Sequence, residues 1–461
     1  MKIKSLRKKY PKFVFQNYSY KISNTNLEIL FDFKIEPDII FKPKVVIAGI
    51  SKSRIEKIGK QVLDNLAFHL GLIEVLSYWK ATCSPEIEIQ AGKLDRDMIA
   101  WWKDLIVNGM GQFFYENKIN WKGSEFLKIS SKRKGNNSLK VFNKKLKDKL
   151  LIPVGGGKDS ALTLAILEKE KKNIQCFSLN PTGSATKVME IGECSNPIIV
   201  KRKIDPMLLE LNRKGFLNGH TPFSAYIAFL SVLIAVIFDK KYIVLSNERS
   251  SNEGNVIYLG KEINHQYSKS FDFEKKFRRY SNKYLAEDVE YFSFLRPLYE
   301  IQIAKLFSKH PEYFKAFLSC NEAYKTNSGT KKKIGKWCCN CPKCLFVFAC
   351  LYPFIGKQEM LRIFGENLFE KKELLCLMKE LIGEKSFKPF ECVGTQKESL
   401  AAFYLSWKKS ESIGEKPYLL RWFEKNILIK HPKLEKEVKE IMDSWNNKHR
   451  LPEEFLKILM Y

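Results

Sequence analysis

The chain has 461 residues, 45% hydrophobic and 13% aromatic, enough apolar material for two or three cores and too much for a disordered tail. Lys and Arg number 79 against 51 Asp and Glu, a net +28 that favours acidic partners. Only 13 of those cations are Arg, the residue that grips phosphates and bases in a fixed geometry. The excess therefore reads as a basic solvated surface, and nucleic acid is not the expected partner.

Residues 1–20 are basic but lack the apolar run of a secretory signal. The short apolar stretches KFVFQNYSY, LEILFDFKI and KVVIAGI, separated by Asn, Pro and Asp, predict a small sheet over the first fifty residues. Helical spacing follows, from Ser53 to about Trp79 (Ile55, Ile58, Val62, Leu63, Leu66, Leu70) and from Leu94 to about Glu116. Lys128–Lys149 is dense in lysine, holds Arg133 and reads as a solvated linker.

Beyond that linker LLIPV, NIQCFSL, PIIV and KYIVLS alternate with helical stretches, the pattern of a parallel sheet with crossover helices. The uncharged run Thr221–Phe238 is interrupted by Pro222, Ser224, Tyr226 and Ser231, which predicts a buried helix and no membrane span. Eleven cysteines without a signal predict reduced thiols and a cytoplasmic location. In such sheets ligands sit beyond the carboxyl ends of the strands, so the turns after LLIPV and KYIVLS are where chemistry is expected.

The first of these turns is Gly155-Gly156-Gly157-Lys158-Asp159-Ser160, leading into the helix-forming ALTLAILEKE. Glycines let backbone amides approach an anion, and the helix start adds unsatisfied N–H groups. It is not a Walker A loop, because Asp159 follows the lysine and Ile152 fills the upstream glycine position; nor is it a dinucleotide fingerprint, since Ser160 stands at the third glycine. The turn resembles the Ser-Gly-Gly-x-Asp-Ser loop of the PP-loop ATPases, with Gly155 in place of the first Ser. That resemblance implies ATP with Mg2+ and cleavage to AMP and diphosphate.

Cys338, Cys341 and Cys344, with Cys320 eighteen residues upstream, offer four thiolates for one structural Zn2+, leaving Cys339 as the spare or as the alternative to Cys338. Lys343 between them would offset the charge of such a site.

The segments SNERSSNEGN, NHQYSKS, YFSFLRPLYEIQIAK, SCNEAY, KWCCNCPKC and KPFECVGT, together with LSYWKATCSPEIEIQAG and AWWKDLIVNGMGQFFYENKIN, are similar to the family of ATP-dependent epimerases of UDP-MurNAc-L-Ala-L-Glu. The similarity runs from about residue 65 to 400. It implies inversion of the terminal L-Glu through an adenylated carboxylate, in peptidoglycan synthesis. Adenylation removes a carboxylate charge that would oppose loss of the neighbouring proton, and inversion needs a base on each face or one mobile base. A PP-loop enzyme of tRNA or deazapurine (queuosine-type) modification is the alternative.

Candidates for proton transfer in the matching segments are Glu248, His265, Lys269, Asp272, Cys83 and Cys392, with Asp159 acting in the loop. Arg249, Lys269 and Arg296 are expected to clamp phosphate or carboxylate, beside the loop residues Gly155 to Ser160. The fold class expected is α/β: a parallel-sheet PP-loop (adenine nucleotide alpha hydrolase-like) domain over 146–315. An α+β region, 1–145, precedes it with a substrate-binding role, and a Cys-rich, zinc-binding, mostly helical region, 316–461, follows.

Overall fold

Apolar runs bounded by Asn, Gly and Pro become strands, numbered in chain order as β1 Lys12–Ser23, β2 Asn26–Ile35, β3 Ile39–Phe41, β4 Lys44–Ala48, β5 Glu86–Ile89, β6 Lys128–Ser131, β7 Leu150–Pro153, β8 Ile174–Leu179, β9 Ile198–Lys203, β10 Tyr242–Leu245, β11 Val256–Tyr258, β12 Lys261–Ile263 and β13 Glu290–Ser293. The computed structural model describes residues 3–23, 25–131, 139–170, 172–326, 331–385 and 387–460.

Eleven strands form one sheet in the order β13-β10-β7-β8-β9-β4-β2-β1-β5-β6, with β3 on β2, while β11 and β12 form a separate ribbon. The run β13 to β9 is parallel throughout. The amino-terminal strands join it through an antiparallel seam in which Val46 faces Lys201. The small sheet expected near the amino terminus is therefore one wing of a larger one.

Side chains alternate across the strands and so feed two cores. Leu151 and Ile243 point to a core shared with helices Lys60–Trp79 and Phe223–Phe238. Leu150, Ile152 and Val244 point to a core built with helices Lys158–Lys169, Glu300–Phe307, Pro342–Leu351 and Gln396–Ser412. The chain leaves β7 towards β8 and β9 and later returns on its other side as β10 and β13. That reversal opens a crevice beyond the carboxyl end of β7.

One expectation changes. The Lys-rich stretch is not a solvated linker where it is described: Lys128–Ser131 is edge strand β6, Phe142 and Leu146 are buried, and the Lys140 carbonyl accepts from Asn65 at 3.2 Å. Its apolar residues are sparse but regularly placed, which suffices to dock it; Arg133 lies outside the described residues. Cys176 on β8 is paired with Cys194, their Cα atoms 6.0 Å apart, within bridging range. The uncharged stretch is the buried helix Phe223–Phe238, and among the described residues no helix is long and apolar enough to cross a membrane.

Candidate active site

The turn after β7 is shaped by close approach. Gly156 has φ 85°, and a Cβ there would stand 2.4 Å from the amide nitrogen of Ala185, so only glycine fits. Its carbonyl accepts from Leu318 N–H at 2.9 Å. Gly157 caps helix Lys158–Lys169 without a side chain, and nothing lies within 4 Å of the Cβ position of Gly155. Lys158 N–H at this helix start donates to Ser319 Oγ at 3.4 Å, and the amides after it belong to the helix turn that favours an anion. Ser160 donates back to the Gly157 carbonyl at 3.0 Å, closing the first turn.

Asp159, Glu248 and Glu300 bring a carboxylate oxygen each within 4.8 Å of one another at this crevice. Glu248 follows β10, and Glu300 opens helix Glu300–Phe307 after β13. Lys158 Nζ lies 2.6 Å from Glu300 Oε2 and also contacts Asp159, while Lys343 Nζ is 3.5 Å from Glu300 Oε1. Burial raises Glu300, but Lys158 and Lys343 outweigh it and hold its carboxyl at about 2. Burial and the neighbouring Glu300 push Glu248 up to about 7. One cluster therefore holds a fixed anion beside a carboxyl that changes charge near neutrality.

A second group adjoins it. Lys269 Nζ donates to Cys392 Sγ at 3.2 Å; burial would lower this lysine, yet Cys392 and Glu248 keep it raised and cationic. His265 Nε2 lies 3.9 Å from the same sulfur, and its Nδ1 is 2.6 Å from Gln112 Oε1. Burial and then Lys269 lower His265 to about 4, so the ring is neutral. With Nδ1–H donating to Gln112, Nε2 presents its lone pair to the thiol. The His220 ring lies tilted beside it, the centroids 4.6 Å apart. Gln112, on helix Gly111–Glu116, belongs to the amino-terminal part of the chain, and Cys392 to the carboxyl-terminal part.

The remaining expected residues sit elsewhere. Arg296 is wholly buried; its guanidinium donates to the Glu248 carbonyl at 2.7 Å and to Ser251 Oγ at 2.8 Å, and pairs with Glu274 at 3.1 Å. It braces the strand ends instead of clamping a ligand. Arg249 lies over the Tyr299 ring at 4.1 Å and reaches Ser444, turned to the carboxyl-terminal helices. Cys83 is buried in the amino-terminal core against Arg7, Nη1–Sγ 3.5 Å, and its thiol is pushed up to about 12 by burial. Asp272 is half-exposed and paired with Lys276 at 2.7 Å.

Two buried groups escaped the sequence reading, Glu300 and Glu398. Glu398 accepts from Ser250 Oγ at 2.8 Å, from Glu300 N–H at 2.6 Å and from Thr395 N–H at 2.7 Å, tying the carboxyl-terminal region to the crevice. The capping spacing Thr395-x-x-Glu398 was the visible signal for it.

The four cysteines Cys320, Cys338, Cys341 and Cys344 converge, with Sγ separations of 4.0 Å (Cys320–Cys341), 3.7 Å (Cys338–Cys344) and 3.5 Å (Cys341–Cys344). A tetrahedral Zn2+ with bonds of about 2.3 Å requires edges of about 3.8 Å, so the thiols fit such an ion. Cys339, at φ 55°, turns away and contacts the Phe364 carbonyl at 3.3 Å. Lys343 does not offset these thiols; its ammonium points to Glu300 and the Cys392 carbonyl.

A mostly parallel α/β sheet with a glycine turn at its switch point, a carboxylate–lysine cluster there and four converging thiols alongside defines an α/β protein of enzymatic character. Residues 4–294 match the MurL N-terminal domain and residues 316–435 the MurL C-terminal domain. The chain belongs to the MurL family. It is 32% identical over 344 residues, 74% of each chain, to the UDP-N-acetyl-alpha-D-muramoyl-L-alanyl-L-glutamate epimerase of Xanthomonas oryzae pv. oryzae (strain MAFF 311018). It is 31% identical over 407 residues, 86% of this chain and 85% of the relative, to the protein of the same name from Salinispora tropica. To that of a Micromonospora strain it is 38% identical over 255 residues, 55% of this chain and 56% of the relative.

Proposed function

We propose that the protein inverts the terminal L-Glu of UDP-MurNAc-L-Ala-L-Glu to D-Glu, using ATP to adenylate the carboxylate and releasing AMP and diphosphate, in the cytoplasmic stage of peptidoglycan synthesis. The observation that carries this reading is the adjacency of the two clusters. An anion-ready turn with Asp159, Glu248 and Glu300 shares Lys269 with the Cys392–His265 pair.

In this reading the amides of Gly155 to Ser160 bind phosphate, and Lys158 is held at the turn by Glu300. Asp159 and Glu248 would hold Mg2+, which supplies charge neutralisation for the leaving diphosphate; three close carboxylates suit such a hard cation. Cys392 is the proton-transfer group on one face. Neutral His265 presents Nε2 to the thiol and orients it, and the Lys269 ammonium supports negative charge on sulfur. The four thiols of Cys320, Cys338, Cys341 and Cys344 would hold structural Zn2+, all positions being filled by protein. Residues 1–145 contribute Gln112 to the site, consistent with a substrate-binding role for that region.

The test is incubation with ATP, Mg2+ and UDP-MurNAc-L-Ala-L-Glu, followed by AMP assay and chiral analysis of the glutamate freed by hydrolysis. AMP with D-Glu is the expected result. AMP formation only with RNA or a carboxy-deazaguanine would keep the ATP site and overturn the substrate.

A further inference from the structure

At the opposite edge of the sheet, below the amino ends of β7 and β10, a cavity of about 710 Å³ opens between helix Lys52–Ile58, residues 142–149 and the last turn of helix Phe223–Phe238. Its size falls in the range of small-molecule sites, about 300–1,000 Å³. The length of β7, four residues or about 13 Å, separates it from the crevice just described.

The lining carries seven cations and a single acid, Asp239. Asp239 is occupied: its Oδ1 accepts from Lys147 N–H at 3.1 Å and its Oδ2 pairs with Lys147 Nζ at 3.3 Å. Lys145 pairs with Asp288 at 2.8 Å, and Lys144 Nζ donates to the Lys57 carbonyl at 2.8 Å. Arg54, Lys57, Lys149 and Lys240 form no ion pair among the described residues, Asp239 acting on Lys240 only at longer range.

Lys240 is the unusual member. The helix ends through Asp239 at φ 57°, which folds Lys240 N–H back onto the Ala235 carbonyl at 2.9 Å and leaves the residue 7% exposed. Lys240 lines the cavity, and its ammonium, which keeps some contact with solvent, has no hydrogen-bond acceptor among the described residues. Burial, then Lys149 and Arg54, lower it to about 8. An ammonium partly withdrawn from water with Lys149, Arg54 and Lys147 around it, opposed by Asp239 alone, is easier to keep when an anion shares the site.

We propose that this cavity is a second anion site, which binds a triphosphate chain, free or carried by a nucleoside, between Arg54, Lys57, Lys149 and Lys240. Four uncompensated cations match the charge of such a chain, about −4 near neutral pH, and charge-assisted contacts at this density favour a phosphate chain over a single sulfate.

The site is tested by calorimetric titration of the full chain with inorganic triphosphate, in a Lys158→Ala background that weakens the glycine turn as a competitor. Binding there, reduced at least tenfold by Lys149→Met with Lys240→Met, is the expected result. Equal binding with and without the two lysines, or sulfate binding as tightly as triphosphate, overturns it. The paired variant should melt at or above the parent, since it loses two unpartnered cations; a lower melting temperature would mean that the lysines serve the fold and also overturns the proposal. Arg54→Gln, on the exposed rim, should weaken triphosphate in the same direction whatever the buried variants do to folding. Titration with ATP in the same background separates the sources: equal affinity assigns the phosphate chain alone, tighter binding assigns the nucleotide. The readout is binding, so it stands or falls apart from the epimerase reading.

Discussion

Helix Pro342–Leu351 divides two polar clusters of opposite character. Cys341 and Cys344 at its start close a set of four like ligands, complete in itself, whereas Lys343 between them reaches into a mixed set of lysines and carboxylates. In the first set every group wants the same thing, one cation at the centre. In the second the groups pull against one another, so that Glu300 is held at about 2 while Glu248 rises to about 7. The difference separates four like thiols that suit a single ion from a mixed set whose charges oppose one another.

Breaking each cluster should have a different signature. Asp159→Asn removes a charge from the mixed set, and AMP release should fall by about 10³-fold or more with the circular dichroism spectrum unchanged; undiminished release would exclude the turn as the ATP site. Cys392→Ala should slow epimerisation by about 10²–10⁴-fold, read as loss of solvent deuterium at the glutamate α-carbon, while ATP binding persists. Retained deuterium uptake would dismiss the sulfur.

Cys341→Ser is the matching change on the other side. Serine keeps the helix cap that Cys341 provides to Cys344 N–H, so the variant reports on metal alone. Zinc content by mass spectrometry should drop and the melting temperature should fall by about 5 °C or more, with unchanged zinc counting against the assignment. The smallest effect is a pH dependence. Glu248 binds its proton more tightly in the folded chain than at the ordinary 4.5, so its contribution is full below that pH and is lost as pH rises through about 7. Glu300 acts in the opposite sense, its contribution present above 4.5 and lost as pH falls towards about 2. Glu248→Gln should therefore flatten the stability change between pH 5 and pH 8, by up to about 3 kcal/mol in denaturant titrations.

The parallel half of the sheet was legible because β7 to β10 are short apolar runs between helices, and the turn because three glycines precede Lys158 and Asp159. The thiol cluster was legible from spacing, whereas the choice of Cys338 over Cys339 stayed open until the backbone direction at Cys339 was known. Glu300 and Glu398 were not legible, and Lys343 was read toward the thiols, since nothing local to a charged residue says where tertiary packing will bury it. Arg296 misled for the converse reason: its sequence context suits a clamp, and only its burial shows that carbonyls and Glu274 consume it. The continuity of the sheet was invisible because the seam pairs residues more than 150 positions apart.

That seam bears on how the chain is made. Strand β4 is synthesised early, yet its partner β9 emerges from the ribosome only after residue 203. Until then the nascent chain carries an alternating apolar strand with an open hydrogen-bonding edge, the kind that recruits other strands. Contacts of such sequence separation form slowly. A ribosome-stalled fragment ending before β9 should thus depend on chaperones for solubility, and one extended through β9 should be released from that dependence.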